Sequence, residues 1–209
     1  MEKIIEKRIY DKVAEKIRKE TMEVDLDEAI FHHQDVDFIH VLFQDIKDLL
    51  TMRWLDVTIL QIFIICLSRM CSKIGVHTIG FLCPRTICAD SVLADIDKVT
   101  KYLVNAMVEQ TNRHFILAPY HEKAFRSVET LGGRRPKNNV DWVHIECPQQ
   151  PGGVECGYYV MRFMYEICTQ CWDSDDLDME LFFNRKPYSE AQIDEVREIW
   201  SKYFTQKCI

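Results

Sequence analysis

The stretch that decides the fold, residues 147–164, reads CPQQPGGVECGYYVMRFM. A Pro-Gly-Gly turn separates Gln150 from Cys156, and an apolar run with helical spacing follows Cys156 and Gly157. A thiol at a helix start meets the positive end of the helix dipole, which stabilises its nucleophilic thiolate form. Across the turn, the Gln150 amide can return to the sulfur and donate to an oxyanion. A lone cysteine before an apolar helix is usually a packed core thiol, so it is the whole combination that predicts a nucleophile at Cys156 with Gln150 as oxyanion donor.

The composition is that of a globular protein from a reducing compartment. The chain has 209 residues, of which 47% are hydrophobic and 28% charged, enough for one domain with its own core. The net charge of −7 argues against a nucleic-acid partner. Nine cysteines, an odd number, predict free thiols. We expect a location in the nucleus or cytoplasm, because the apolar run at residues 57–67 is too short to cross a membrane and the N-terminus has no apolar signal core.

The distribution of apolar residues predicts a mixed α+β chain without internal repeats. The acidic segment at residues 21–29 is expected to be a connector. Strands are predicted at residues 78–82 and 114–120, and helices at residues 2–20, 38–50, 54–70, 91–107, 158–168 and 189–204. No phosphate-binding loop or metal motif is present, and a single CxxC is weak support for zinc, so no metal or other cofactor is expected.

Residues 147–164 resemble the ubiquitin-like-protein-specific (SUMO-type) cysteine protease family, especially its plant, transposon-linked branch. Trp54-Leu55-Asp56 is similar to that family's early WL-D/N-x-x-I helix start, and residues 115–120, FILAPY, to the strand before its catalytic His. Residues 188–200 resemble its closing helix, which ends in Arg-x-x-Trp. The resemblance implies a papain-like α+β cysteine protease fold over residues 50–209, preceded by a helical flank at residues 1–49.

The same resemblance implies a reaction and a set of site residues. Family members hydrolyse the bond after the C-terminal Gly-Gly of a ubiquitin-like protein, which is the partner expected here. Cys156 would be the nucleophile and Gln150 the oxyanion donor. Trp54 would help to cover the Gly-Gly tail, although a core anchor for its helix is an equally good interpretation of this residue.

The catalytic His and Asp of the family have no clear counterpart in this chain. In the family they lie on two successive strands after the FILAPY-like strand. Here that strand is followed by His121-Glu122-Lys123 and then at once by Ala124-Phe125-Arg126, which resembles a helix start that belongs beyond both strands. We therefore expect the block with the two central strands to be missing between Lys123 and Ala124. His121 and His114 are the candidate substitutes for the catalytic His.

Three functional interpretations remain open from the sequence. The first is a cysteine-type peptidase domain for deconjugation or precursor processing, impaired because the His/Asp block is missing. The second is a non-catalytic relative that binds a ubiquitin-like protein. The third is a truncated, unstable product, because removal of central strands exposes sheet edges and apolar faces.

Overall fold

The computed structural model describes residues 21–32, 36–119, 147–170 and 186–208. The helix predicted at residues 2–20 and the candidate His121 lie outside these residues. In chain order, the described elements are β1 (Thr21–Asp25), α1 (Glu28–Phe31), β2 (Phe38–Leu42), α2 (Phe43–Leu50), α3 (Val57–Lys73), β3 (Ile79–Phe81), α4 (Ala89–Ala94), α5 (Ile96–Glu109), β4 (Phe115–Leu117), α6 (Cys156–Gln170) and α7 (Glu190–Lys207).

Helix α3 is the central element of the described structure. It begins after Asp56, whose carboxylate caps the helix by accepting a hydrogen bond of 2.9 Å from the Thr58 N–H. Most of its side chains are buried, including Ile59 and Phe63 with no exposed surface, as expected for a helix that is apolar on nearly all sides. It packs against β2, β3, α2, α6 and α7. The helix predicted at residues 54–70 is thereby confirmed, with a start three residues later.

The two predicted strands form a small parallel sheet. Strand β3 pairs with β4 in the register Ile79 to Phe115 and Phe81 to Leu117. A hydrogen bond of 2.9 Å from the Leu82 N–H to the Leu117 carbonyl extends the pairing by one step. Both strands are shorter than predicted, but their positions are confirmed.

The prediction for residues 38–50 was wrong in its first part. Residues 38–42 form strand β2, in which buried Ile39 and Val41 alternate with exposed neighbours. The helix α2 starts only where the Asp45 carboxylate accepts a hydrogen bond from the Leu42 N–H, at 2.9 Å. The predicted connector is also wrong at residues 21–25, which form β1 and pair antiparallel with β2.

The helix predicted at residues 91–107 is divided into α4 and α5. Asp95 interrupts it with an extended backbone, at a φ of −158°. Its side chain then caps α5 by accepting a hydrogen bond from the Lys98 N–H at 2.9 Å. The sequence pattern did not reveal this break because the apolar spacing continues across it.

One hydrophobic core joins the described residues before and after residue 50. Phe31, Val41 and Leu49 pack into the same cluster as Phe63 and Trp200. The division into a flank and a domain at residue 50 stays a prediction. Within the described ranges, no helix combines the length and the apolar character needed to span a bilayer.

Candidate active site

Cys156 is the first residue of helix α6, as predicted. The first hydrogen bond of this helix runs from the Tyr159 N–H to the Glu155 carbonyl at 3.0 Å. The N–H groups of the residues before Tyr159 therefore have no partner inside the helix and give its start a partial positive charge. The thiol is free and half-buried, so an electrophile can reach it at the start of the helix.

The start of α6 contacts the residues before α3 through Gly157 and Leu55. A Cβ atom placed on Gly157 would lie 2.9 Å from Leu55 Cβ and 3.0 Å from Leu55 Cδ1. Carbon atoms in good contact are about 3.5–4.0 Å apart. Only glycine at position 157 allows the Leu55 segment to come this close, and the contact brings the Cys-Gly and Trp-Leu motifs together.

Trp54 immediately precedes the contact residue Leu55, and 62% of it is exposed. It lies before α3, which begins at Val57, and is not an anchor in the hydrophobic core. An exposed tryptophan beside a helix start with a thiol is suited to contact a bound chain.

Gln150 lies on the turn that precedes Cys156. Its Nε2 donates a hydrogen bond of 2.8 Å to the Gly152 carbonyl. On the same turn, the Val154 N–H donates to Glu155 Oε2 at 3.1 Å. This bond stays within the turn, and the contacts of the described residues include none between Gln150 and Cys156. The role of Gln150 as oxyanion donor stays a prediction.

Two side chains that the sequence analysis did not assign to the site fix the segment before Trp54. The Tyr158 hydroxyl of α6 lies 3.0 Å from the Arg53 carbonyl and 3.1 Å from that of Asp48. Arg197 of α7 donates from Nε to the Leu49 carbonyl at 3.0 Å. Burial raises the pKa of Tyr158 above its ordinary value, so this hydroxyl remains a donor. Arg197 was part of the Arg-x-x-Trp motif, whereas Tyr158 looked like one more apolar residue of α6.

Helix α7 is fixed to α3 by the other residue of that motif. Trp200 is fully buried, and its Nε1 donates a hydrogen bond of 3.0 Å to the Ile59 carbonyl. Helix α7 begins after Ser189, whose side chain caps it by accepting a hydrogen bond from the Gln192 N–H. Helices α3, α6 and α7 therefore form one layer that holds both Cys156 and the Trp54 segment.

Within the described ranges, no candidate histidine is paired with Cys156. His114 is exposed at the start of β4, where its N–H donates to the Thr78 carbonyl at 2.7 Å and its ring packs edge-on against Phe115. His121 lies outside the described residues. No group of three or more His, Cys, Asp or Glu residues suited to a metal ion occurs in the described ranges. The identity of a proton acceptor stays a prediction.

Comparison with known proteins gives a structural match and no sequence match. No protein-family model matches the chain, and no curated protein matches it significantly. A solved structure of the SUMO protease Ulp1, with its catalytic cysteine oxidised to a sulfenic acid, is similar with a TM-score of 0.56. The identity is 14%, and the alignment covers 99% of this chain and 96% of that chain. The expected α+β fold of the SUMO-protease type is thereby confirmed.

Proposed function

We propose that this chain is a cysteine-peptidase domain that receives the C-terminal Gly-Gly tail of a ubiquitin-like protein at Cys156. The observation that carries the proposal is the contact of Gly157 with Leu55, which brings exposed Trp54 next to the start of the thiol helix. A tail of two glycines can pass close to an indole ring because it has no side chains. The Ulp1-like fold supports the same conclusion.

In the proposed reaction, the Cys156 thiolate attacks the carbonyl carbon of the terminal glycine. The Gln150 amide and the N–H groups at the start of α6 donate to the oxygen that becomes negative. The tetrahedral adduct then collapses: the bond from the glycine carbonyl carbon to the nitrogen of the conjugated protein or of the next precursor residue breaks, that nitrogen takes up a proton, and the tail remains as a thioester on Cys156. Water releases the tail and regenerates the thiol.

We propose that hydrolysis is impaired, because the block with the catalytic His and Asp is expected to be missing between Lys123 and Ala124. Without a base, the thiol gives up its proton inefficiently and the leaving amine lacks a proton donor. His114 and His121 are the proposed substitutes. We place the activity on SUMO-type conjugates or precursors, in the nucleus or cytoplasm.

Intact-mass analysis tests this function directly. The folded chain is mixed with a SUMO-type protein whose C-terminus carries an electrophile that reacts with thiols. We expect a covalent adduct that is lost in Cys156→Ala and formed more slowly in Trp54→Ala, with Cys147→Ala as a matched cysteine control that leaves the adduct unchanged. Absence of an adduct on a sample with a cooperative thermal transition would contradict the proposal.

A second candidate function is binding of a ubiquitin-like protein without hydrolysis. The exposure of Trp54 favours it, because a tail can be held against the indole without any proton transfer. Titration calorimetry with a mature SUMO-type protein and Cys156→Ala tests this candidate. Binding that Trp54→Ala weakens, without turnover of a precursor by the unmodified chain, would assign the chain to this function.

A truncated, unstable product is the third interpretation, and the same samples address it. The described residues share one core with many fully buried side chains. We therefore expect a cooperative unfolding transition, whereas a gradual, featureless melt would support this third interpretation.

A further inference from the structure

Strand β1 lies at an edge of the two-stranded sheet that the structure describes. Among the described residues, β1 pairs with β2 only, in the register Thr21 to Leu42 and Asp25 to Phe38. A strand with one partner has a row of backbone N–H and C=O groups along its other side. Such an edge is where an extended segment of another protein can add as a further strand.

The hydrogen bonding identifies which residues of β1 present that free edge. The Leu26 N–H donates to the Asp37 carbonyl at 2.8 Å, which makes this a hydrogen-bonded pair. In an antiparallel ladder such pairs alternate with non-bonded pairs. Val24 is therefore bonded to β2, while the backbone groups of Glu23 and Asp25 point away from β2 towards the open side.

The side chains at these positions give the edge its chemistry. Glu23 and Asp25 are exposed, whereas the alternating residues Met22 and Val24 are partly buried against the core. Across the sheet, Phe38 and Leu42 are exposed by 44% and 46% on β2. His40 lies opposite Glu23 on the same face, with its Nδ1 3.8 Å from Glu23 Oε1. The edge therefore combines two carboxylates with one imidazole and apolar surface next to them.

We propose that β1 binds an extended basic segment of a partner protein as an additional antiparallel strand. Residues of the partner opposite Glu23 and Asp25 would exchange backbone hydrogen bonds with them and place their side chains on the same exposed face. Opposite charges at directly paired positions stabilise a sheet. The segment that fits therefore has basic side chains at alternate positions, with an apolar residue between them that faces Val24.

A second copy of this chain is a poorer occupant of the same edge. Two β1 strands paired antiparallel would bring the carboxylates of Glu23 and Asp25 of the two copies together, and like charges at paired positions destabilise a sheet. This inference concerns a surface built from β1 and β2 and does not depend on the function proposed for Cys156.

The test uses the full chain and a short fluorescent peptide of alternating lysine and valine, followed by fluorescence anisotropy. A second peptide has the same sequence, but the backbone amide nitrogens of its lysine residues carry methyl groups. This change keeps the side-chain charge and removes those backbone N–H donors. We expect the first peptide to bind and the methylated peptide to bind at least roughly tenfold more weakly, because strand addition requires those donors. Equal binding of both peptides, or no binding of either, would overturn the proposal.

Variants of the chain separate local pairing from general charge attraction. Glu23→Lys combined with Asp25→Lys is expected to weaken binding by about tenfold or more. Asp90→Lys combined with Asp97→Lys changes the net charge equally on helices α4 and α5 and is the matched control. Equal weakening of peptide binding by the two double variants would show charge attraction alone and would overturn the proposal. Dimerisation of the unmodified chain in size-exclusion chromatography would assign the edge to a second copy and would also overturn it.

Discussion

Replacement of Gly157 by alanine tests the contact on which the candidate site depends. The new Cβ would lie 2.9 Å from Leu55 Cβ, 3.0 Å from Cδ1 and 3.2 Å from Cγ. Carbon contacts of about 3.5–4.0 Å are normal, so the two segments must separate by about 0.5–1 Å. Rotation of the Leu55 side chain cannot relieve this clash, because its nearest atom is the Cβ itself.

The expected loss of stability follows from two opposing effects. Crowding a packed position by one methyl group costs about 1–3 kcal/mol. Alanine in a helix is favoured over glycine by about 0.5–1 kcal/mol, which offsets part of that cost. We expect a net loss of about 1–2 kcal/mol, which for a chain of this size lowers Tm by about 2–8 °C.

The effect on the thiol site should exceed the effect on stability. A displacement of about 1 Å at a reacting centre can reduce a rate about 100-fold. We expect Gly157→Ala to react much more slowly with the tail-bearing electrophile, while a small alkylating reagent that needs no tail site reacts with Cys156 at an unchanged rate.

Gly153→Ala is the matched control for this variant. Apart from position 153 itself and its two chain neighbours, no described residue has an atom within 4 Å of a Cβ placed there, so this substitution should preserve both Tm and labelling. If Gly157→Ala unfolded at the temperature of the unmodified chain and reacted equally fast with the tail-bearing electrophile, the argument that Leu55 and Gly157 assemble the site would be refuted.

Further predictions concern the side chains that hold the helical layer. Tyr158→Phe removes the hydroxyl that lies 3.0 Å from the Arg53 carbonyl and should lower the unfolding free energy in urea by about 1–2 kcal/mol; an unchanged midpoint would show that this bond contributes nothing. Arg162→Met leaves buried Glu166 without its 2.7 Å ion pair and should lower the free energy of unfolding by about 3–5 kcal/mol. The double variant with Glu166→Leu should recover part of that loss. Strictly additive losses for the two substitutions would contradict this coupling. Burial raises the pKa of the Cys66 thiol from 9.0 to about 12, so the stability it contributes is present below pH 9 and is lost as pH rises towards 12. The Tm should fall less between pH 8 and pH 10 for Cys66→Ala than for the unmodified chain. An equal fall in Tm for both would contradict this assignment.

The long helices could be predicted from the sequence because their signals extend over several turns. The apolar spacing located α3, α6 and α7, although the predicted start of α3 lay three residues before Val57, where the helix begins after its cap Asp56. Over such lengths a period of 3.6 residues cannot be mistaken for a period of two.

The short elements could not be predicted in the same way. Residues 38–42, FIHVL, fit both a strand and the first turn of a helix, and the pairing with β1 decides between them. Acidic residues on β1 concealed its alternation, because acidic side chains are typical of connectors. The break at Asp95 depends on a single residue, and the spacing of apolar residues over several turns does not reveal it.

The place of Cys156 at a helix start could be predicted, whereas the contacts around it could not. Cys156 and Gln150 are recognisable because the turn and helix start that they need lie within a few residues of them. The fit of Leu55 against Gly157, and the hydroxyl of Tyr158 beneath the Trp54 segment, join parts of the chain that are far apart in sequence. No local pattern encodes such contacts, since they depend on how α3 and α6 pack.

This assembly also separates the placement of the thiol from the supply of a proton acceptor. Cys156 and Trp54 are held by the layer of α3, α6 and α7 through Tyr158, Arg197 and the Leu55 contact. The His and Asp expected from the sequence resemblance would instead follow β4 in the chain. Loss of that block would remove the proton acceptor without removing any of the contacts that position the thiol. We therefore expect labelling of Cys156 by a tail-bearing electrophile even where turnover of a conjugate is lost, and measuring both on the same sample separates the two properties.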